Sequence, residues 1–70
     1  MKDKILHIKI GTRIQQIRKD KNLEQDLAAN CNYDKSYLSR IEAGKTDARI
    51  STYNKIAEGL GVELIELFKF

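Results

Sequence analysis

Proline and tryptophan are absent from this 70-residue chain, and cysteine and histidine occur once each. A single cysteine, Cys31, excludes an intrachain disulfide and any thiolate metal cluster. With one histidine and one cysteine, His7 and Cys31, unrelated in position, the residues offer no nucleophile–base pattern and argue against an enzyme. His7 reads as a surface or packing residue, and Cys31, at an apolar position, as a small buried one. Without proline or low-complexity tracts there is no marked linker, so residues 1–70 read as one domain, near the lower size limit for a core without staples. No apolar run reaches transmembrane length, and the charged start is not followed by a signal-peptide core. So small a domain without a disulfide framework points to a reducing compartment, the cytoplasm.

What is present is charge, unevenly placed. The net charge is only +3. Residues 1–21 carry Lys2, Lys4, Lys9, Arg13, Arg18, Lys19 and Lys21 against Asp3 and Asp20. The last twenty residues lean acidic, with Glu58, Glu63 and Glu66 against Lys55 and Lys69. A basic start suits a polyanion on one side of the domain, although many basic faces are simply solvated.

Apolar spacing predicts helices. Leu6, Ile10, Ile14 and Ile17 recur at three or four over residues 6–19. Asp3 is a candidate cap for that helix, and a short strand before Lys9 is the competing reading of the alternation at Ile5, Leu6, Ile8 and Ile10. Lys19, Asp20, Lys21 and Asn22 end that helix, and a second short helix is predicted over 23–31, with Leu27, Ala28 and Cys31 on one face and Asn22 and Gln25 spaced for a capping box. Asn32 is an αL-tolerant turn residue. Further helices are predicted over 50–60, from Ile50, Tyr53, Ile56, Ala57 and Leu60, with Gly61 as the stop, and over 62–68. In the last of these, Leu64, Leu67 and Phe68 can face inward, while Ile65 and Phe70 cannot share their side. That surplus of apolar surface favours an isologous dimer through Leu64, Ile65, Phe68 and Phe70.

The central stretch is DKSYLSRIEAGK, residues 34–45. Asp34 is a strong N-cap residue and Gly44 the usual residue just past a helix end. At about 100° per residue, Lys35, Ser36, Ser39, Arg40 and Ala43 fall within an arc of roughly 140°, and Tyr37, Leu38 and Ile41 on the opposite side. One face packs; the other carries only small side chains and hydrogen-bond donors. Such a helix suits a DNA groove, where small residues permit close approach and Lys, Arg and Ser meet base edges or phosphates. A short helix, a tight turn and this capped helix make a helix-turn-helix.

With these residues in place, the chain resembles the phage-repressor and Xre-type (Cro/C1-like) helix-turn-helix family over residues 10–68. The matching stretches are IGTRIQQIRKDKNL, DLAANCNYDKSYLSRIEAGK and STYNKIAEGLGVELIELF, the most specific being YLSRIEAGK and KIAEGLGVELIELF. The resemblance implies an all-α, compact five-helix lambda-repressor-like fold with its helix-turn-helix unit at residues 23–43. It also implies sequence-specific binding of double-stranded DNA, as a homodimer on a pseudo-palindrome. It places Lys35, Ser36, Ser39 and Arg40 at base edges, and Gln25, Tyr37, Lys45 and Arg49 at phosphates. Arg18 and Glu42 match a pair that ties the first helix to the third, a structural role shared with the Asp34 cap. The chain departs from the family by one residue fewer between Leu23 and Leu27, which puts Glu24 in the slot of the family's phosphate-binding glutamine and leaves Gln25 as the nearest candidate. Arg49 and Glu63 stand where small hydroxyl residues commonly open the last two helices.

The expectation is a stand-alone transcriptional regulator with no cofactor, no small-molecule ligand and no membrane association. The start of the 35–43 helix resembles restriction-modification controller proteins, with phage or mobile-element repressors and antitoxins as close competitors. A protein-interaction module that keeps the fold without reading DNA is the reading from another class.

Overall fold

A computed structural model describes residues 3–23, 30–46 and 48–70. Among these there are three α-helices, α1 (Lys4–Asp20), α2 (Lys35–Glu42) and α3 (Ile50–Leu60), followed by a 3-10 helix, Leu64–Phe68. Asn30 and Cys31 are also helical, while the remainder of the helix predicted over 23–31, with its face of Leu27 and Ala28, lies outside the described residues. There is no strand among the described residues, so the alternating start belongs to α1 rather than to a β-arm. The segment expected as a fifth α-helix is instead a single 3-10 stretch. It is only five residues long, and its amides bond three residues back, as from Glu66 to Glu63 at 3.0 Å.

Ile10, Ile14 and Ile17 of α1, Leu38 and Ile41 of α2, Tyr53, Ile56, Ala57 and Leu60 of α3, with Cys31 and Leu67, form one core. Periodicity overreaches at two positions. Leu6 and Ile50, both on predicted apolar stripes, are exposed at 42% and 61%. Each stands at the opening turn of its helix, one turn before the first buried residue, Ile10 or Tyr53. At that level His7 bridges α1 to α3: its Nδ1 lies 2.6 Å from the Tyr53 hydroxyl.

Three helix ends close in the same manner. Asn22, Gly44 and Gly61 each have positive φ. In each case that residue and its successor donate backbone bonds to carbonyls of the preceding last turn: Asn22 to Lys19 and Leu23 to Arg18, Gly44 to Ile41 and Lys45 to Arg40, Gly61 to Glu58 and Val62 to Ala57. Asn22, expected both among the residues that end the first helix and as one half of a capping box, takes the first role: its backbone is left-handed where an N-cap residue is extended, and Gln25 lies outside the described residues. Asn32 has φ 60°, the left-handed conformation expected of it.

Candidate nucleic-acid interface

The outer face of α2 is built by what buries its inner face. Leu38 and Ile41 are buried and Tyr37 is half-buried. Lys35, Ser36, Ser39, Arg40 and Ala43 are all exposed, so the structure brings the four expected base-contacting residues onto one solvent-facing surface. Asp34 takes the extended N-cap conformation (φ −67°, ψ 145°), but its side chain accepts no capping hydrogen bond. That part of the expectation is corrected: the carboxylate is exposed to water, and its remaining contribution is favourable charge at the positive end of a short helix. α3 and the 3-10 helix likewise open at Arg49 and Glu63 without a side-chain cap.

The C-terminal end of α2 is pressed against α1. Gly11 is buried there, and a Cβ built on it falls 2.6 Å from the carbonyl oxygen of Ile41 and closer still to that of Glu42. A side chain at Gly44, which also has φ +70°, would meet Ile8 at 2.5 Å. Two glycines thus allow the backbones to approach where any other residue would separate them. The same crossing is locked by polar bonds. Arg18 donates from Nε to Glu42 Oε2 at 2.8 Å and from Nη2 to Oε1 at 3.0 Å, a bidentate pair whose side chains are only 16% and 12% exposed. Gln15 adds an Nε2 bond to the Glu42 carbonyl at 3.3 Å.

Lys45 and Arg49, the expected phosphate contacts beyond α2, are both exposed, and Arg49 doubles as the residue before α3. Gln25 lies outside the described residues. Tyr37 is engaged on two sides. Its ring meets that of Tyr33 edge-on, with centroids 5.2 Å apart, and the Arg40 guanidinium carbon lies 6.0 Å from its own centroid. Lys55 of α3 in turn sits 4.8 Å from the Tyr33 ring centroid. Tyr33 and Lys55 escape the sequence reading. A signal existed for Tyr33, because an apolar residue just before an N-cap commonly folds over the first turn; none existed for Lys55.

At the opposite end of the chain the candidate dimer residues divide. Ile65 and Phe70 are each 59% exposed, whereas Leu64 and Phe68 are half-buried against the core and Leu67 is fully buried. Lys9 lies 5.7 Å from the Phe70 ring centroid. Arg13 donates to the Glu66 carbonyl at 2.9 Å, so α1 and the C-terminal segment run side by side. The Lys69 ammonium, bonded to Glu66 at 2.7 Å, holds the Glu66 carboxyl below its ordinary range. Burial pushes the Cys31 thiol up, partly offset by a backbone hydrogen bond at Tyr33. Among the described residues no three His, Cys, Asp or Glu side chains gather as metal ligands would, and no helix is long and apolar enough to cross a membrane.

The sequence profile of the helix-turn-helix family HTH_3 matches residues 14–67. The chain belongs to that family. HTH_3 proteins of the Xre and Cro/C1 type are transcriptional regulators, and no catalytic family is indicated for this chain. Among curated relatives, it is 35% identical to the control protein C.MunI of a Mycoplasma species, over 90% of this chain and 88% of that protein. It is 38% identical to the immunity repressor protein of Bacillus phage phi105, over 79% of this chain but 39% of the repressor. Among solved structures, the restriction-modification controller protein C.AhdI from Aeromonas hydrophila superposes with a TM-score of 0.88 at 30% identity, covering 97% of this chain and all of that one. The match spans the whole of α2 and, from its crossing with α1, Gln15, Arg18 and Glu42.

Proposed function

We propose that this HTH_3 protein is a sequence-specific regulator of transcription that binds double-stranded DNA as a homodimer on a pseudo-palindromic operator in the cytoplasm. In this reading residues 1–70 form one domain of the five-helix lambda-repressor-like type, with the helix-turn-helix unit at 23–43. The observation that carries it is the segregation on α2: an exposed face of Lys35, Ser36, Ser39, Arg40 and Ala43 opposite a buried Leu38 and Ile41. Arg40 is the leading base reader, since its planar fork matches the O6 and N7 acceptors of guanine in the major groove. Lys35, Ser36 and Ser39 supply further donors to base edges. Lys45, Arg49 and Tyr37 take phosphates, and Gln25 joins them on the strength of the resemblance. Arg18 and Glu42 set the angle of α2 against α1. Exposed Ile65 and Phe70, with the half-buried Leu64 and Phe68 on the same segment, support the two-fold contact. Likeness to C.MunI and C.AhdI along nearly their whole lengths favours a restriction-modification controller over a phage repressor.

Binding titrations on short duplexes test the assignment. Arg40→Ala is expected to lose about 1–3 kcal/mol of discrimination at one base pair per half-site. Lys45→Ala is expected to weaken binding evenly across sequences and to reduce the slope of log affinity against log salt by about one. An Arg40→Ala protein with unaltered base preference removes the role given to Arg40.

A further inference from the structure

Four side chains run in an unbroken line from α3 to the exposed face of α2. The Lys55 ammonium lies 4.8 Å from the centroid of the Tyr33 ring; Tyr33 meets Tyr37 at 5.2 Å with the rings inclined by 70°; and the Arg40 guanidinium lies 6.0 Å from the Tyr37 centroid. The order is cation, ring, ring, cation. Both rings are half-buried, while Lys55 and Arg40 are exposed. An edge-to-face pair fixes the inclination of each ring, and a cation above a ring face is held by the ring quadrupole. Among the described residues Arg40 has no carboxylate partner, and the Tyr37 ring restrains its long and otherwise solvated side chain. Tyr37 is in turn restrained by Tyr33, a residue outside α2 that is backed by the scaffold helix.

We propose that Tyr33, clamped by Lys55, is a positioning residue for base readout by Arg40. It holds the Tyr37 ring at the angle that presents the guanidinium in one orientation before DNA arrives. This rests on the base-reading role given to Arg40 above. The loss of Tyr33 therefore relaxes sequence preference at the base pair that Arg40 reads, and leaves the salt slope, which the cationic phosphate contacts set, unchanged.

The test compares the full-length protein with Arg40→Ala, Tyr33→Leu, Tyr33→Phe, Lys55→Met and the Tyr33→Leu/Arg40→Ala double variant. Each is titrated on a selected duplex and on one altered at the base pair where Arg40→Ala loses preference, well below each variant's melting temperature. Tyr33→Leu is expected to lower the discrimination ratio about threefold, the scale of one edge-to-face or cation–π contact, and to lower it no further in the Arg40→Ala background. Lys55→Met moves it the same way by about twofold, and Tyr33→Phe preserves it. In the DNA-free protein, ring-current shifts of the Arg40 methylene protons persist in Tyr33→Phe and diminish in Tyr33→Leu. If Tyr33→Leu lowers only the melting temperature and leaves the ratio intact, Tyr33 is packing alone and the proposal is overturned. If Lys55→Met instead reduces the salt slope by about one at constant ratio, Lys55 is a phosphate contact and the clamp is overturned. If Arg40→Ala itself leaves preference intact, the base-reading assignment fails and the proposal falls with it, an outcome distinct from Arg40→Ala alone relaxing preference.

Discussion

Arg18→Met is expected to weaken the protein by about 2 kcal/mol. A fully desolvated ion pair that loses one partner costs about 3–5 kcal/mol, because the survivor is left charged and unpaired, whereas an exposed pair is worth about 0–1. Arg18 and Glu42 lie between these limits: two parallel bonds of 2.8 and 3.0 Å, with side chains 16% and 12% exposed. Stability for a chain of this size is about 4–10 kcal/mol, so the loss is a large fraction of the whole and lowers the melting temperature by about 10 °C. Glu42→Leu should cost a similar amount. The double variant should recover part of the loss, since two apolar side chains fill the same crossing without a stranded charge. Urea denaturation followed by circular dichroism measures all four corners of the cycle, with an unchanged m-value as the check that the unfolding transition is the same. Single variants each within about 0.5 kcal/mol of wild type, and additive in combination, would refute the reasoning and make the pair an ordinary surface contact.

Gly11→Ala should destabilise by about 1–3 kcal/mol despite the better helix propensity of alanine, because the new Cβ meets the Ile41 and Glu42 carbonyls; a stabilised variant in thermal melts would contradict the close approach. Glu66 has a folded-state pKa below its unfolded value. Its contribution is therefore present above the ordinary carboxylate range and lost as pH falls through the lowered value, so Glu66→Gln should flatten the acid limb of stability against pH in denaturation series. Cys31 is buried and its thiol is pushed up, so iodoacetamide at mildly alkaline pH should modify the native protein about tenfold more slowly, or slower still, than the urea-unfolded one; equal rates by mass spectrometry would contradict its burial.

Periodicity made the core legible where a helix is covered along its length, as at Ile14, Ile17, Ile56 and Leu60. It misled at Leu6 and Ile50 because spacing tells which face is apolar and not how far the neighbouring elements extend. Asn22 was ambiguous for a chemical reason: asparagine serves both as an N-cap and in the left-handed conformation, and only the bonds to Lys19 and Arg18 separate the two uses. A five-residue segment such as Leu64–Phe68 is too short for spacing to distinguish a 3-10 from an α-helix. At the candidate interface, the exposed face of α2 could be read from residue order alone. The Arg18–Glu42 pair could not, being set by a crossing of α1 and α2; it was accessible only through family resemblance. The role of Gly11 is likewise set by the crossing, through the Ile41 and Glu42 carbonyls packed against it, which no local pattern encodes. The Tyr33–Lys55 contact lacks any sequence signal, because it joins elements about twenty residues apart through a geometry that no local pattern encodes.

The central claim is that the exposed face of α2 reads duplex DNA as part of a two-fold dimer. Selection of bound sites from a random duplex pool at low salt tests it most directly. The predicted result is an enriched, pseudo-palindromic site with half-site centres about 34–36 Å apart along the helix axis, at which Arg40→Ala loses preference for one base pair in each half. Recovery of no enriched sequence, with no measurable duplex binding even at low salt, would contradict it and leave a helix-turn-helix fold that serves protein contacts instead.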